Sequence, residues 1–256
     1  MILAIDVGNT NIVIGCIDDG KIAFSGRLTT KPQMTDMEIA VMLKNILTLN
    51  GIDTAAFEGS IISSVVPPIN KALKNAIRLV TGKDAYMVSG SEGLEIVIDD
   101  PTQLGPDLIV GAVAVLDEFK PPIALIDLGT ATTIFVIDKL GRYLGGAIMP
   151  GIAISQQALS SSASLLPSIS LDAPKSVIGK NTVDSMNSGA VFGNASMIDG
   201  MLERIETELG EEITAIATGG LSRFILAHCK HKIVYEENLL LKGLWLIYKR
   251  HRAQNQ

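Results

Sequence analysis

The chain has 256 residues, 47% of them hydrophobic, enough to bury a large core in one domain or in two modest lobes, and this excludes disorder as a description of the whole. Its formal net charge of -6 argues against a protein that works mainly by gripping nucleic-acid phosphates. The two cysteines, Cys16 and Cys229, stand outside any CxxC or Cys/His cluster, so neither a disulfide framework nor a zinc site is expected, and a reducing cytoplasm is the compartment that fits.

The chain opens on the strand-like "MILAIDVGN" without the basic stretch, apolar core and cleavage site of a secretory signal, so export is not expected. Leu3 to Ile22, "LAIDVGNTNIVIGCIDDGKI", reads as a hairpin: apolar, β-branched runs with "DDG" to reverse the chain. Cys16, among Ile14 and Ile17 on its second strand, is expected to be a small core residue. In "TDMEIAVMLKNILTLNG", Thr35 and Glu38 are spaced as a capping box, Ile39, Met42, Leu43, Ile46 and Leu47 share one helical face, and Gly51 is a stop. The strand "SIISSVV", the helix "INKALKNAIRLVTG" and the strand "DAYMVS" follow.

Next comes "TQLGPDLIVG", where Asp107 stands behind Gly-Pro and ahead of the helical run "LIVGAVAVLDEF". An acid there reads either as the cap of a helix or as the base of a reaction, and one residue can do both. Pro121-Pro122 mark a crossover, after which Ala124 to Tyr143, "ALIDLGTATTIFVIDKLGRY", repeats the opening unit in kind; the matching acids, Asp6 and Asp127, are 121 residues apart. Two similar lobes are therefore expected, residues 1–120 and 121–256, each with a sheet that begins antiparallel.

Between Arg142 and Asp172 the chain carries no charge, but Gly145, Gly146, Pro150, Gly151, Gln156 and Gln157 interrupt it, so it reads as loop and buried helix rather than a membrane span. "SSSAS", Ser160 to Ser164, reads as a surface loop. A helix from about Ser188 to Leu209, the strand "ITAIAT", a short helix after Gly219-Gly220, the strand "KIVYEE" and a final helix through Trp245 and Tyr248 complete the second half. The basic "KRHRAQNQ" reads as a frayed end. His228 and His231 have no third ligand nearby and are expected at a surface or helix end rather than on a metal.

Three elements carry chemistry. In "DVGNTN", Gly8 permits a tight turn, Asn9, Thr10 and Asn11 offer donors to phosphate oxygens, and Asp6 is suited to a magnesium ion, directly or through water; an ordinary hairpin turn is the plain alternative. "DLGTATT", Asp127 to Thr133, is a second copy, and two such turns would form the sides of a phosphate clamp. "ATGGLS", Ala217 to Ser222, has two glycines at a strand-to-helix junction, which allow a base or ribose to approach closely.

Acid turn, acid turn and glycine pair, in this order, resemble the phosphotransferase group built on duplicated ribonuclease H-like lobes, which includes sugar kinases, acetate kinase and actin. The joint pattern of "DVGNTN", "GPD", "DLGTATT", "GGAIMPG" (Gly145 to Gly151), "GKNT" (Gly179 to Thr182), "GAVFG" (Gly189 to Gly193) and "TGG" is similar to type III pantothenate kinase over essentially the whole chain. The resemblance implies an α/β protein of two ribonuclease H-like lobes, each a mixed sheet with helices packed on it, binding ATP and Mg2+ between them. It implies phosphorylation of the terminal hydroxyl of pantothenate in the first committed step of coenzyme A synthesis, by a cytoplasmic homodimer that needs potassium or ammonium. In that reading Asp6, Val7, Gly8, Asn9, Thr10, Asn11, Ile12 and Val13 form the ATP phosphate loop, with Asp6 supporting Mg2+. Thr130, Gly219 and Gly220 also meet ATP, and Asp127 is the potassium residue. Gly105, Pro106, Asp107, Leu108 and Thr182 line the substrate, with Asp107 taking its proton.

The chain departs from the family at one place: the motif is Gly-x-Asp-Arg, and here it is Gly105-Pro106-Asp107-Leu108. Leucine offers neither charge nor donors, and loss of such a charge-assisted contact costs about 1.5–3 kcal/mol. Arg27, Arg142 and Arg223 are candidates to replace it by charge alone. A kinase-like homologue that regulates by binding a nucleotide or metabolite, and a kinase for another hydroxylated substrate, are the rival readings.

Overall fold

A computed structural model describes residues 1–254. Its strands form two five-stranded sheets. The first contains β1 (Ile2–Val7), β2 (Asn11–Asp18), β3 (Lys21–Thr29), β4 (Gly59–Ser64) and β5 (Ala85–Met87) in the order β3-β2-β1-β4-β5. The second contains β6 (Ile123–Leu128), β7 (Ala131–Ile137), β8 (Tyr143–Pro150), β9 (Thr214–Thr218) and β10 (Ile233–Tyr235) in the order β8-β7-β6-β9-β10. In each, the first strand pairs antiparallel with the second and parallel with the fourth. The duplication read from the acid turns is thus a duplication of connectivity, and the α/β class with mixed sheets is the one expected.

Local chemistry explains the elements. Asp19 and Gly20 both have positive φ, the conformation a two-residue hairpin turn needs to match strand twist. The helix α1 (Asp36–Leu49) starts on the capping box: Thr35 Oγ1 accepts from Glu38 N, and Glu38 Oε2 accepts from Thr35 N at 2.7 Å. Pro67 and Pro68 start α2 (Pro67–Thr81), and Gly82 ends it in the left-handed conformation. Every residue of β1 and β4 is buried, as suits central strands covered on both faces.

Side-chain alternation sorts the two faces of the first sheet. Leu3, Ile5, Val7 and Ile62 pack with Ile39, Leu43 and Leu47 of α1 and Ile69, Leu73 and Ile77 of α2. Ile2, Ala4 and Ile61 pack with Val110 and Val113 of α3 (Pro106–Glu118) and with Leu241, Leu244, Ile247 and Tyr248 of α8 (Leu239–Gln254). In the second sheet Ala124, Ile126 and Leu128 pack with Ala195, Ile198 and Leu202 of α6 (Asn194–Leu209) and Ile152 of α4 (Ile152–Ser162).

The chain divides into two compact units: Met1–Leu94 with Asp100–Asp117 and Asn238–Gln256, and Glu95–Asp99 with Glu118–Glu237. This differs from a simple cut after residue 120. The final helix joins the first sheet, because its apolar face fits the side of β1 and β4 that α3 leaves partly uncovered, and residues 95–99 run beside β8 through an Ile96–Tyr143 bridge.

Three local expectations change. The charge-free stretch after Arg142 contains an edge strand, β8, and then a largely surface helix, α4, of which only Ile152 is buried. Ser160 and Ser161 belong to that helix, their hydroxyls donating back to the carbonyls of Gln157 and Ala158. The basic tail is helical to Gln254: Arg252 Nη1 lies 2.6 Å from Glu58 Oε2, and the His251 ring stacks on Tyr86 at 3.9 Å. Asn255 and Gln256 lie outside the described residues.

Candidate functional site

In the first unit the Asp6 turn leaves the C-terminal end of β1, where ligands gather on sheets of this kind. Gly8 N donates to Asn11 O at 2.9 Å, while Thr30, at the end of β3, grips the turn from outside through Oγ1 to Gly8 O at 2.7 Å and N to Thr10 O at 2.9 Å. Asn9, Thr10 and Asn11 are exposed, whereas the side chains of Val7 and Ile12 are buried in the α1/α2 core. Only the backbones of those two are available to a ligand. Asp6 is buried, and by alternation it shares the face that holds Ile2, Ala4 and α3.

Asp107 comes to the same end of this sheet by short links. Val65, just past β4, donates its N–H to Val7 O at 3.0 Å, and the α carbon of Gly105 points its missing side chain at Val65. Gly105, not Asp107, occupies the cap of α3: its carbonyl accepts from Leu108 N and Ile109 N, and Pro106 is the first helical residue. Asp107 is in the first turn, with Oδ1 accepting from Leu108 N at 2.9 Å. A Cβ at Gly105 would strike that oxygen, which is why glycine stands there. The cap reading is corrected to that extent, since Pro106 takes the first helical position and leaves the acid at the second. Burial pushes the Asp107 carboxyl above the usual carboxylate range, against the opposing bonds from the Leu108 amide and its own. No other side chain bonds to it among the described residues.

The second unit repeats the acid turn under tighter bracing. Gly129 N donates to Ala131 O at 3.1 Å, and Gly129 and Thr130 are exposed. Gly219, with φ of 103°, lies so close that a Cβ would be 2.6 Å from Leu128 O and 2.9 Å from Asp127 Oδ1. Gly151, at the start of α4, abuts the Gly129 and Thr130 carbonyls in the same way. Asp127, Thr133 and Thr218 are register partners on neighbouring strands. The acid turn and the glycine pair, far apart in sequence, thus meet at one end of β6 and β9, with exposed Gly220 next to Gly219.

Also in the second unit, a cavity of about 680 Å³ is lined by Ile152, Gln156 and Leu159 of α4, by Lys180 and Thr182, and by Ala190 among others. Asn181 caps α5 (Thr182–Ser188), its Oδ1 accepting from Asp184 N at 2.9 Å, and this exposes Thr182 at the first helical position. Gly179 packs directly on Ser185 of that helix. The "GAVFG" stretch forms one π-helical turn, Gly189–Gly193, between α5 and α6, a local widening that often accompanies a binding surface.

The three basic candidates fare differently. Arg142 is held by Asp138 through Nε at 2.8 Å and Nη2 at 2.6 Å, and Arg223 by Glu237 at 3.0 Å. Arg27 is exposed on β3. Lys180, not foreseen, lines the cavity beside Thr182 with no ion pair among the described residues. Ser63, also not foreseen, lies beside Asp6 in the parallel register. The signal for it was available: a serine inside a fully buried strand needs a reason. His231 places Nδ1 3.0 Å from Asp199 Oδ1 and thereby fastens α6 to the segment ahead of β10. No group of three or more His, Cys, Asp or Glu gathers as a metal site among the described residues.

Comparison with known proteins gives the family. A solved structure from Sinorhizobium meliloti described as a 2-dehydro-3-deoxygalactonokinase shares the fold, with a TM-score of 0.62 at 12% identity over 98% of this chain and 96% of that one. The type III pantothenate kinases of Roseiflexus sp. (strain RS-1) and Exiguobacterium sp. (strain ATCC BAA-1283 / AT1b) are 39% and 40% identical, covering 99% and 98% of this chain and 100% of each relative. The family model for type III pantothenate kinase matches residues 2–204, and the chain belongs to that family.

Proposed function

We propose that the protein transfers the γ-phosphoryl group of ATP to the terminal hydroxyl of pantothenate, giving 4'-phosphopantothenate and ADP, the opening step of coenzyme A synthesis. The observation that carries this reading is Asp107: a carboxyl raised by burial, in the first turn of α3, at the sheet end from which the Asp6 turn projects. The hydroxyl oxygen forms a bond to the γ-phosphorus as the bond from that phosphorus to the bridging oxygen breaks, ADP leaves with the electron pair, and the proton passes to Asp107. A carboxylate whose proton affinity is raised by desolvation is better matched to that task than an exposed one.

The exposed Asn9, Thr10 and Asn11 and the backbone from Asp6 to Val13 hold the phosphates, and Thr130, Gly219 and Gly220 meet the nucleotide from the second acid turn. A magnesium ion fits at Asp6, where a buried carboxylate has the unpartnered hydroxyl of Ser63 as its register neighbour. When bound, it offsets triphosphate charge. A potassium or ammonium ion is assigned to Asp127, beside which Thr133 Oγ1 is likewise buried without a partner.

By the family pattern, Gly105, Pro106, Asp107 and Leu108 of the first unit and Thr182 of the second are assigned to pantothenate, each on its own unit's geometry. Lys180 lines the same second-unit cavity as Thr182, and its ammonium suits a substrate carboxylate held there. Exposed apolar side chains in both units, Leu49 and Leu79 in the first and Ile148, Leu165 and Ile178 in the second, support a homodimer. No helix among the described residues is long and apolar enough to cross a membrane. Cytoplasmic residence is supported by the two free thiols, and the net charge of -6 disfavours nucleic acid as a partner.

The test is direct: purified protein with ATP, Mg2+, K+ and pantothenate should yield phosphopantothenate and ADP in equal amounts. Nucleotide binding without product at high pantothenate would overturn the reading and favour a regulatory homologue. Phosphorylation of a different hydroxylated compound would favour a kinase of other specificity, the reading that Leu108 alone recommends.

A further inference from the structure

The geometry points to Ser63 as a positioning residue for the hydrated divalent cation at Asp6, an inference that rests on the nucleotide-binding part of the function proposed above. Ser63 is 0% exposed, and its Oγ has no hydrogen-bond partner. A buried hydroxyl left unpaired costs about 1–3 kcal/mol, while alanine would fill the same place in the strand without that cost. The register sets Ser63 directly beside Asp6 across the β1–β4 pair. Alternation puts both side chains on the face shared by Ile2, Ala4, Ile61 and the α3 residues Val110 and Val113, the helix whose first turn holds Asp107.

In the second unit an unpartnered hydroxyl also stands beside the acid, but on the antiparallel neighbour strand rather than the parallel one. Thr133 is the register partner of Asp127, and its Oγ1 is also buried and unpartnered. Ser60 separates the hydroxyl from its position: it is on the same strand, equally unpartnered and 1% exposed, but it pairs in register with Leu3 and faces the α1/α2 core.

Ser63 Oγ has no partner, so it does not bond the Asp6 carboxylate directly, and a water held by both would satisfy it. Ser63 accepts from, or donates to, a water of the cation's shell that Asp6 also holds, and so fixes the shell's orientation. No proton leaves the serine, and no bond to it forms.

The experiment measures affinity for a non-hydrolysable ATP analogue by calorimetry as free Mg2+ is varied, with melting temperatures recorded in the absence of ligand. Ser63→Ala is expected to need about three- to tenfold more Mg2+ for half-maximal binding. Its affinity without Mg2+ should be unchanged and its ligand-free melting temperature equal or higher. Ser60→Ala should share the melting behaviour and keep the wild-type Mg2+ midpoint. An unchanged midpoint in Ser63→Ala, or an equal shift in Ser60→Ala, would overturn the inference. A wild-type chain that binds the Mg2+-nucleotide but leaves pantothenate untouched would overturn only the substrate assignment. One that binds no Mg2+-nucleotide would overturn both.

Discussion

Replacing Gly151 by alanine tests whether the second acid turn is held from outside its own hairpin. Gly151 has φ of -68° and ψ of 160°, a conformation alanine adopts freely, so backbone strain plays no part. The effect is steric. A Cβ there would lie 2.6 Å from Gly129 O and 2.8 Å from the Thr130 carbonyl carbon, with Thr130 O closer still. Ordinary contact begins at 3.4 Å, so the Gly129 carbonyl must retreat by about 0.8 Å and the Thr130 oxygen by more, or α4 must move by the larger amount. Overpacking of this kind costs about 1–3 kcal/mol, which lowers the melting temperature of a chain this size by about 2–12 °C. Misplacement approaching 1 Å in a positioning loop costs up to about a hundredfold in rate, so kcat/KM for ATP should fall roughly ten- to a hundredfold at a temperature where the variant remains folded. Steady-state kinetics beside a thermal melt measure both. Gly189→Ala is the companion: it is helical, nothing lies within 4 Å of its Cβ, and it should be neutral or gain about 0.5–1 kcal/mol. A Gly151→Ala protein with wild-type KM for ATP and an unshifted melt would refute the bracing.

Asp107→Asn should lower turnover by about 10²–10⁴-fold while raising the melting temperature at neutral pH. The sign follows from burial: the folded carboxyl binds its proton more tightly than the unfolded one, so wild-type stability falls as pH rises from the ordinary value of about 3.9 through the raised one. The asparagine advantage should accordingly vanish below about pH 4, and an advantage confined to acid pH would contradict the assignment. Lys180→Ala should raise KM for pantothenate by about tenfold with kcat little changed, with Lys180→Arg in between; an unchanged KM would exclude Lys180 as the carboxylate's partner. Asp199 behaves oppositely to Asp107. Although burial opposes it, the amides of His231 and Lys230 and the His231 ring hold its carboxyl below the usual range. Its stabilisation is present above the unfolded value and lost as pH falls through the folded one, so Asp199→Asn should melt lower at pH 7 and converge with wild type in acid. A gap that widens in acid would count against this account.

The sequence disclosed most where the chemistry is local. Both acid turns, the Thr35–Glu38 capping box and the helix at Asp107 are written in a few adjacent residues, and each stands where spacing put it. What stayed hidden depends on partners far along the chain. β8 did not look like a strand because Gly145 and Gly146 weaken the pattern, yet a Cβ at Gly146 would meet Phe135 Cα at 2.8 Å, so close approach of β7 demands the glycine that disguises the strand. The amphipathic face of α8 announces a helix but not which sheet it covers. Leu108 drew attention as a departure from the family, and only the fold shows Arg142 and Arg223 bound to acids while Lys180 lines a cavity. A serine in the buried strand "SIISSVV" is a visible cue, but only the register shows that Ser63, and not Ser60, stands beside Asp6.

The return of α8 to the first sheet has a consequence in time. The second unit, apart from residues 95–99, is contiguous from Glu118 to Glu237, whereas the first is interrupted until Asn238 is made. On a ribosome adding about 5–20 residues per second, those roughly 120 intervening residues take about 6–24 s. During that interval Ile2, Ala4, Ile17 and Ile61 lack the cover that Leu241, Leu244, Ile247 and Tyr248 later provide. The half of the protein translated first is therefore completed last. Asp6 and Asp107 acquire their finished surroundings only as the last helix emerges, so a message cut short yields no working fragment.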